Sequence, residues 1–330
     1  MGKRKVAVFG CKNTTAYLIK ELRKFTNVDA LITLAPDHSE SENVAGYEDL
    51  SYLKSEIPNF YQVKKYNLKS KEDQDYIKSL DLDIAFVAGW QRLLPADVLN
   101  MLSIGAFGMH GSSQNLPKGR GRSPMNWSLI EGREHFYTNL FRYNPGVDDG
   151  AVVGCIKFSI LENDTAETLH YKNTTSMVQL IKENIDGLLD GTIELQPQQE
   201  EGATYYPKRT PKDSIIDWRN DIHAIDRHIR AVAHPFNGAF SYMNDKKVII
   251  WRASIFRTDE ERHSWQSEPV GKVVSIFPSG KFLIRAKGGL LIVHEYEVED
   301  NSSIIEDEML ISDVNDIHEF EKNEHGFHDI

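Results

Sequence analysis

Val6-Ala7-Val8-Phe9-Gly10 is a short β-branched and aromatic run that stops at a glycine, the pattern of a buried parallel strand entering a turn. Leu18, Leu22 and Phe25 follow at helical spacing, and the apolar run from Val28 to Leu34 ends at Ala35-Pro36 like a second strand. This alternation predicts an α/β sheet. It returns at Ile84 to Gly89, followed by Leu93-Leu94-Pro95 and a helix with Asp97 in its first turn. Ala106 to Met109 reads as the next strand. A further helix is predicted from Ser123-Pro124, with the serine as N-cap and the proline at the first helical position. His135 to Tyr143 and Ala151 to Leu161 read as strands around a turn at Pro145 to Gly150. Asp164-Thr165-Ala166-Glu167 reads as a capping box, and Met177, Val178, Ile181, Ile185 and Leu188 give the next helix one apolar face ending before Gly191.

Gln196 to Gly202 is polar and acidic without periodicity, so the linker is placed there. Beyond it Asp221 to Val232 predicts a helix, and Ala239–Tyr242, Val248–Trp251, Gly271–Ile276, Phe282–Ala286 and Leu290–Val293 predict short strands of a small β-barrel or sandwich. The expected organisation is an α/β domain over 1–200, a β-rich domain over 201–300 and a loosely docked acidic tail over 301–330.

Charge narrows the function. The net charge of -11 argues against a broad basic surface for nucleic acid, while leaving room for a local basic pocket. Cys11 and Cys155 are far apart and read as two ordinary buried thiols, and the apolar N-terminal run is too short for a signal-peptide core or a membrane span. A reducing cytoplasm is the expected compartment. No GxGxxG or GxxxxGK[ST] supports a nucleotide cradle, and no HExxH or CxxC spacing supports a metal. His318, His325 and His328 are irregularly spaced and fit a solvated terminus better than a zinc site.

The densest cluster of functional side chains runs from Gly108 to Trp127. His110 would stand where a parallel strand gives way to a loop, the place where α/β sheets hold ligands. Lys118, Arg120 and Arg122, spaced by glycines, suit an anionic substrate. Asp148 lies on a turn that a wound sheet can bring beside His110, where a carboxylate orients an imidazole and the imidazole donates to an oxyanion. Asp148-Asp149-Gly150 fits a plain hairpin turn equally well. Ser112 lies in no GxSxG elbow, so a serine nucleophile is not indicated.

The cluster resembles the folate-dependent formyltransferases, whose pattern is approximately Asn-x-His-x-Ser-Leu-Leu-Pro-x-Tyr-Arg-Gly and then Leu-Asp-x-Gly. The first block appears as Gly108-Met109-His110-Gly111-Ser112 with Leu116-Pro117-Lys118-Gly119-Arg120-Gly121, the second as Val147-Asp148-Asp149-Gly150. Arg120-Gly121-Arg122-Ser123-Pro124-Met125-Asn126-Trp127 is similar to the members that formylate UDP-4-amino-4-deoxy-arabinose. So are Lys208-Arg209-Thr210-Pro211, Asp217-Trp218 and Arg230-Ala231-Val232-Ala233. The resemblance implies a Rossmann-like, mostly parallel sheet with helices on both faces, followed by a small OB-like β-barrel, and His110 and Asp148 as the catalytic pair. N10-formyltetrahydrofolate is the implied co-substrate, without a metal, its pterin near Trp90, Gln91, Arg92, Leu93 and Leu94 and the turn bearing Asn144 and Val147. The implied acceptor is a nucleotide-linked amino sugar of cell-surface glycan biosynthesis, held by Ser112, Arg120, Arg122, Met125, Asn126 and Arg209.

Two departures matter. The family asparagine that helps bind the formyl oxygen is Gly108 here, and the loop carries about two extra residues that include Gln114 and Asn115. One of these amides is the expected substitute donor, since losing an oxyanion donor costs on the order of a hundredfold in rate. Methionyl-tRNA formylation, hydrolysis of formyltetrahydrofolate and non-catalytic binding of folate or sugar nucleotide remain the alternatives. No membrane partner is expected. Oligomeric state stays open, with the small β domain the candidate surface for a homodimer.

Overall fold

The computed structural model describes residues 3–42, 44, 46–257, 264–318 and 320. Two compact units interleave along the chain: Met1–Gly121, Tyr137–Phe158 and Tyr171–Thr204 form the first, and Arg122–Phe136, Ser159–His170 and Tyr205–Ile330 the second. The division near residue 200 expected from composition is thus crossed twice, because Arg122–Phe136 and Ser159–His170 join the second unit, while the polar segment after 195 belongs to the first up to Thr204.

In the first unit β1 (Val6–Phe9), β2 (Ala30–Leu34), β3 (Asn59–Val63), β4 (Ile84–Val87) and β5 (Gly105–Ser112) lie parallel, and β7 (His135–Arg142) runs antiparallel to β5. The short β6 is Arg120–Gly121. With β8 (Val152–Ser159) at the far edge, the sheet order is β3-β2-β1-β4-β5-β7-β8. Strand alternation builds two cores. Val6, Val8, Phe86 and Phe107 pack with α1 (Asn13–Leu22) and the long α6 (Ala166–Asp190) on one face. Ala7, Phe9, Ala85 and Val87 pack with Ile77 and Val98 on the other, after α2 (Pro36–Ser41), on α3 (Lys71–Ser79) and α4 (Ala96–Leu99). Cys11 is buried but Cys155 is exposed, since it lies on the outer face of edge strand β8.

The second unit contains α5 (Pro124–Ile130), β9 (Tyr205–Tyr206), α7 (Ile222–Val232) and β10 to β14 at Ala239–Met243, Lys246–Phe256, Val273–Ile276, Phe282–Ala286 and Gly289–Val298. The five long strands form one antiparallel sheet, ordered β10-β11-β14-β13-β12. Its two edges are bridged through Tyr242↔Ile311 and Lys272↔Met309, which closes the sheet much as the expected barrel. The acidic stretch after 301 therefore supplies structure, and Ile304 and Leu310 in it are buried. His318 lies 3.3 Å from Asp213. His325 and His328 lie outside the described residues. Ser123 precedes α5 as expected, yet it has a φ of 55° and its side chain makes no cap bond. The capping box before α6 is Thr165 with Thr168, one residue later than the pattern suggested.

Candidate active site

β5 outruns its parallel neighbour. Its pairing with β4 ends at Gly108, while pairing with β7 continues through His110↔Asn139 to Ser112↔Tyr137. His110 therefore stands on a strand and not on the loop after one, because β7 keeps β5 hydrogen-bonded beyond β4. The carboxyl end of the parallel sheet is still its address. Met109 and Leu140 turn toward the α6 core, so alternation places Gly108, His110 and Ser112 on the opposite face, with Asn139 and Phe141 beside them.

His110 Nδ1 lies 3.2 Å from Asp148 Oδ2, and their side chains are 7% and 22% exposed. His110 Nε2 lies 2.7 Å from the carbonyl oxygen of Gly119. Both neighbours are acceptors, so the ring meets no competing donor. Asp148 has a φ of 53°, a conformation that costs an L-residue energy, and its carboxylate also accepts the Gly121 N–H at 3.1 Å.

A brace holds this turn. Gln198 Nε2 donates to the carbonyls of Asp148 and Gly150 at 2.8 and 2.6 Å, and Gln198 Oε1 accepts from Arg120 Nη2 at 2.8 Å. Arg120 is fully buried and binds both carboxylate oxygens of Glu200 at 3.0 Å, which holds Glu200 below the usual carboxylate range. The expectation that Arg120 meets substrate gives way here, since its guanidinium is committed inside the protein. Gln198 and Glu200 fall in the segment read as a linker, and their pairing with Arg120 exists only in the fold.

Tyr143 was not among the expected site residues. Its ring occupies the space above Gly108, so that a Cβ added there would lie 2.5 Å from the hydroxyl. Burial, and then the charge of Asp148, push that hydroxyl well above its ordinary range and keep it protonated. Nearby, an open cleft of about 400 Å³ is lined by Ala96, Leu99, Ala106, Tyr143, Asn144 and Pro145, among others.

One family model, described as formyl transferase, matches residues 4–185, and a second, described as formyl transferase C-terminal domain, matches 208–310. The chain belongs to the formyl transferase family. Bifunctional polymyxin resistance protein ArnA of Wigglesworthia glossinidia brevipalpis is 34% identical over 226 residues, 68% of this chain and 34% of that protein. The chain thus spans about a third of the length of this curated relative. Among solved structures, an N-formyltransferase from Helicobacter canadensis, in complex with folinic acid and dTDP-3-aminofucose, is 18% identical with a TM-score of 0.62, covering 89% of this chain and 100% of that one. HypX from Aquifex aeolicus, in complex with tetrahydrofolic acid, is 15% identical with a TM-score of 0.62, covering 89% and 44%. At these identities the likeness to the solved structures is one of fold.

In this family member the residues expected at the pterin divide by exposure. Trp90 and Leu94 belong to the core, the Trp90 ring lying 4.7 Å from Tyr66 and 6.4 Å from Phe9. The Gln91 N–H donates to the Tyr66 hydroxyl, and the Arg92 guanidinium covers the Tyr66 ring and reaches Glu42 at 3.3 Å. Leu93 and Val147 are 59% and 43% exposed, and Asn144 is exposed as well. Ser112 is buried, Gln114 half-buried and Asn115 exposed.

The remaining expected substrate residues lie in the second unit. Arg122 is exposed and Met125 half-buried. Asn126 is buried and donates from Nδ2 to the Ala231 carbonyl at 2.7 Å, so its amide ties two of the segments that carried the resemblance. The Arg209 guanidinium lies 5.4 Å from the Trp127 ring, bonds the Asp213 carbonyl, and is pushed down to about 10 by burial. Among the described residues no cluster of three His, Cys, Asp or Glu could hold a metal, and no helix is long and apolar enough to cross a membrane.

Proposed function

We propose that this family member transfers the formyl group of N10-formyltetrahydrofolate to the amine of a nucleotide-linked amino sugar. The contact of buried His110 with half-buried Asp148 carries the reading. The amine nitrogen attacks the formyl carbon, the bond from that carbon to N10 breaks, the amine gives up one proton and N10 takes one. His110 exchanges the Gly119 carbonyl for the acyl oxygen and donates to it from Nε2 as negative charge develops there. Asp148 keeps Nδ1 toward itself, which fixes the ring and offsets its positive charge, and water or Asp148 relays the proton.

The cleft supports a flat heterocycle: Ala106 and Leu99 offer apolar faces, and the exposed Asn144 offers polar groups for its edge. Leu93 and Val147 supply further apolar surface. Arg122 and Arg209 are the cations proposed for the nucleotide diphosphate, and Met125 and Ser112 are proposed sugar contacts. The net charge of -11 disfavours a tRNA acceptor. The Helicobacter canadensis neighbour, which binds folinic acid and dTDP-3-aminofucose, favours the sugar.

The test is incubation with N10-formyltetrahydrofolate and a panel of amino-sugar nucleotides, with the products read by mass spectrometry. Transfer to a sugar is expected, with a loss on the order of a thousandfold in His110→Ala. Full activity in that variant, formate release without an acceptor, or transfer only to methionyl-tRNA would each overturn the reading.

A further inference from the structure

We propose that Asn139 is the amide donor to the acyl oxygen, supplying from β7 what Gly108 cannot supply from β5; this rests on the formyl-transfer reading above. Asn139 is fully buried, and neither Nδ2 nor Oδ1 has a hydrogen-bond partner among the described residues. A buried amide with both ends unpaired opposes folding and is rare in native proteins. Its neighbour Thr138, on the other face of β7, has its hydroxyl paired with Asn173 at 2.7 Å. The unpaired amide is therefore particular to the His110 face.

Its address is decisive. Asn139 stands directly opposite His110 in the antiparallel register. Directly opposed residues share a face and hold their Cβ atoms about 4.5–5.5 Å apart. An amide at that distance from the imidazole can reach the same small atom that His110 Nε2 addresses. Ser112, two residues along on the same face, has a buried hydroxyl that is likewise unpaired. The position two residues before His110 is closed, because the Tyr143 ring fills the space of a side chain at Gly108. By contrast Gln114 and Asn115 lie beyond the end of β5, the first half-buried and the second exposed. The amide expected from the inserted loop is thus better provided by the facing strand.

Asn139→Leu, close in volume and without polar atoms, separates a catalytic part from a structural one. Turnover should fall on the order of a hundredfold or more, with the KM for the acceptor within about threefold. The urea midpoint should hold or rise, since the substitution removes two unpaired buried atoms. Gln114→Ala combined with Asn115→Ala should keep turnover within about twofold. A second readout needs no turnover: calorimetry with 10-formyl-5,8-dideazafolate and with its deformylated counterpart. Wild type should favour the formyl compound about tenfold, and Asn139→Leu should lose the preference. Retained turnover, a retained preference, or a loss of turnover matched by a lower urea midpoint would overturn the proposal. Wild-type protein that favours the formyl compound but formylates no amino sugar would overturn the acceptor reading and leave the role of Asn139 standing.

Discussion

Gln198→Ala tests whether the brace behind Asp148 controls the reaction. Gln198 gives two hydrogen bonds to the carbonyls of Asp148 and Gly150 and takes two from Arg120 on one oxygen, at 2.8 and 3.3 Å. The first two contribute about 1 kcal/mol each, and the charge-assisted contact with Arg120 about 1.5–3 kcal/mol. Against them stands the left-handed backbone of Asp148, which costs roughly 1–2 kcal/mol. The brace outweighs the strain while it is present. Without it the turn loses about 2 kcal/mol of restraint, equivalent to roughly a thirtyfold change in how often Asp148 meets His110. The expected result is a fall in kcat of that order, with KM for the acceptor nearly unchanged and about 3 kcal/mol lost in urea unfolding. Gln198→Glu should not rescue, because a carboxylate cannot donate to either carbonyl. A Gln198→Ala enzyme with wild-type kcat would refute the idea that the turn needs holding.

The remaining expectations are narrower. Gly108→Asn should fail to improve turnover and should lose about 1–3 kcal/mol in urea unfolding, because its Cβ would meet the Tyr143 ring and hydroxyl at about 2.5 Å; adding Tyr143→Leu should recover most of that stability. The second unit should weaken in acid through His228, whose Nε2 bonds the Ser214 carbonyl and whose imidazole is pushed down to about 4 by burial, with the Arg209 charge assisting. The sign follows from a depressed folded value: stability is fully present above about 6.5, where the unfolded histidine is also neutral, and is lost as pH falls toward about 4. The loss is at most roughly 3 kcal/mol. It should appear as a shallower acid unfolding curve in His228→Gln, and identical curves would refute it.

Much of the sheet was legible because its strands are buried on both faces. Val6 to Phe9 and Ile84 to Val87 are uninterrupted apolar runs, which a parallel strand needs and a surface segment cannot tolerate. The edge strand β3, Asn59-Phe60-Tyr61-Gln62-Val63, carries no such run and gives no strand signal, since four of its five residues are only half-buried. β5 extends beyond its sequence signal for a different reason. Glycine at 108 and 111 and histidine at 110 weaken any strand pattern, and only the long-range pairing with β7 shows that the extended backbone continues. Asp148 could be suspected from its block, but a turn and a catalytic carboxylate look alike until a partner strand fixes the distance. Asn139 was invisible among apolar neighbours because its register against His110 exists only in the fold.

The glycine-spaced basic loop drew attention as a place for an anion, yet its composition answers a second requirement. Gly119 and Gly121 both have positive φ, at 70° and 93°. Those conformations aim the Gly119 carbonyl at His110 and the Gly121 N–H at Asp148. Arg120 between them then points inward, where Gln198 and Glu200 neutralise and orient it. A side chain on either glycine would strain the backbone that makes both contacts. The spacing Gly-Arg-Gly therefore reports how the His110–Asp148 pair is held before it reports what binds there. Of the three cations in this loop, Lys118 and Arg122 are exposed and Arg120 is not.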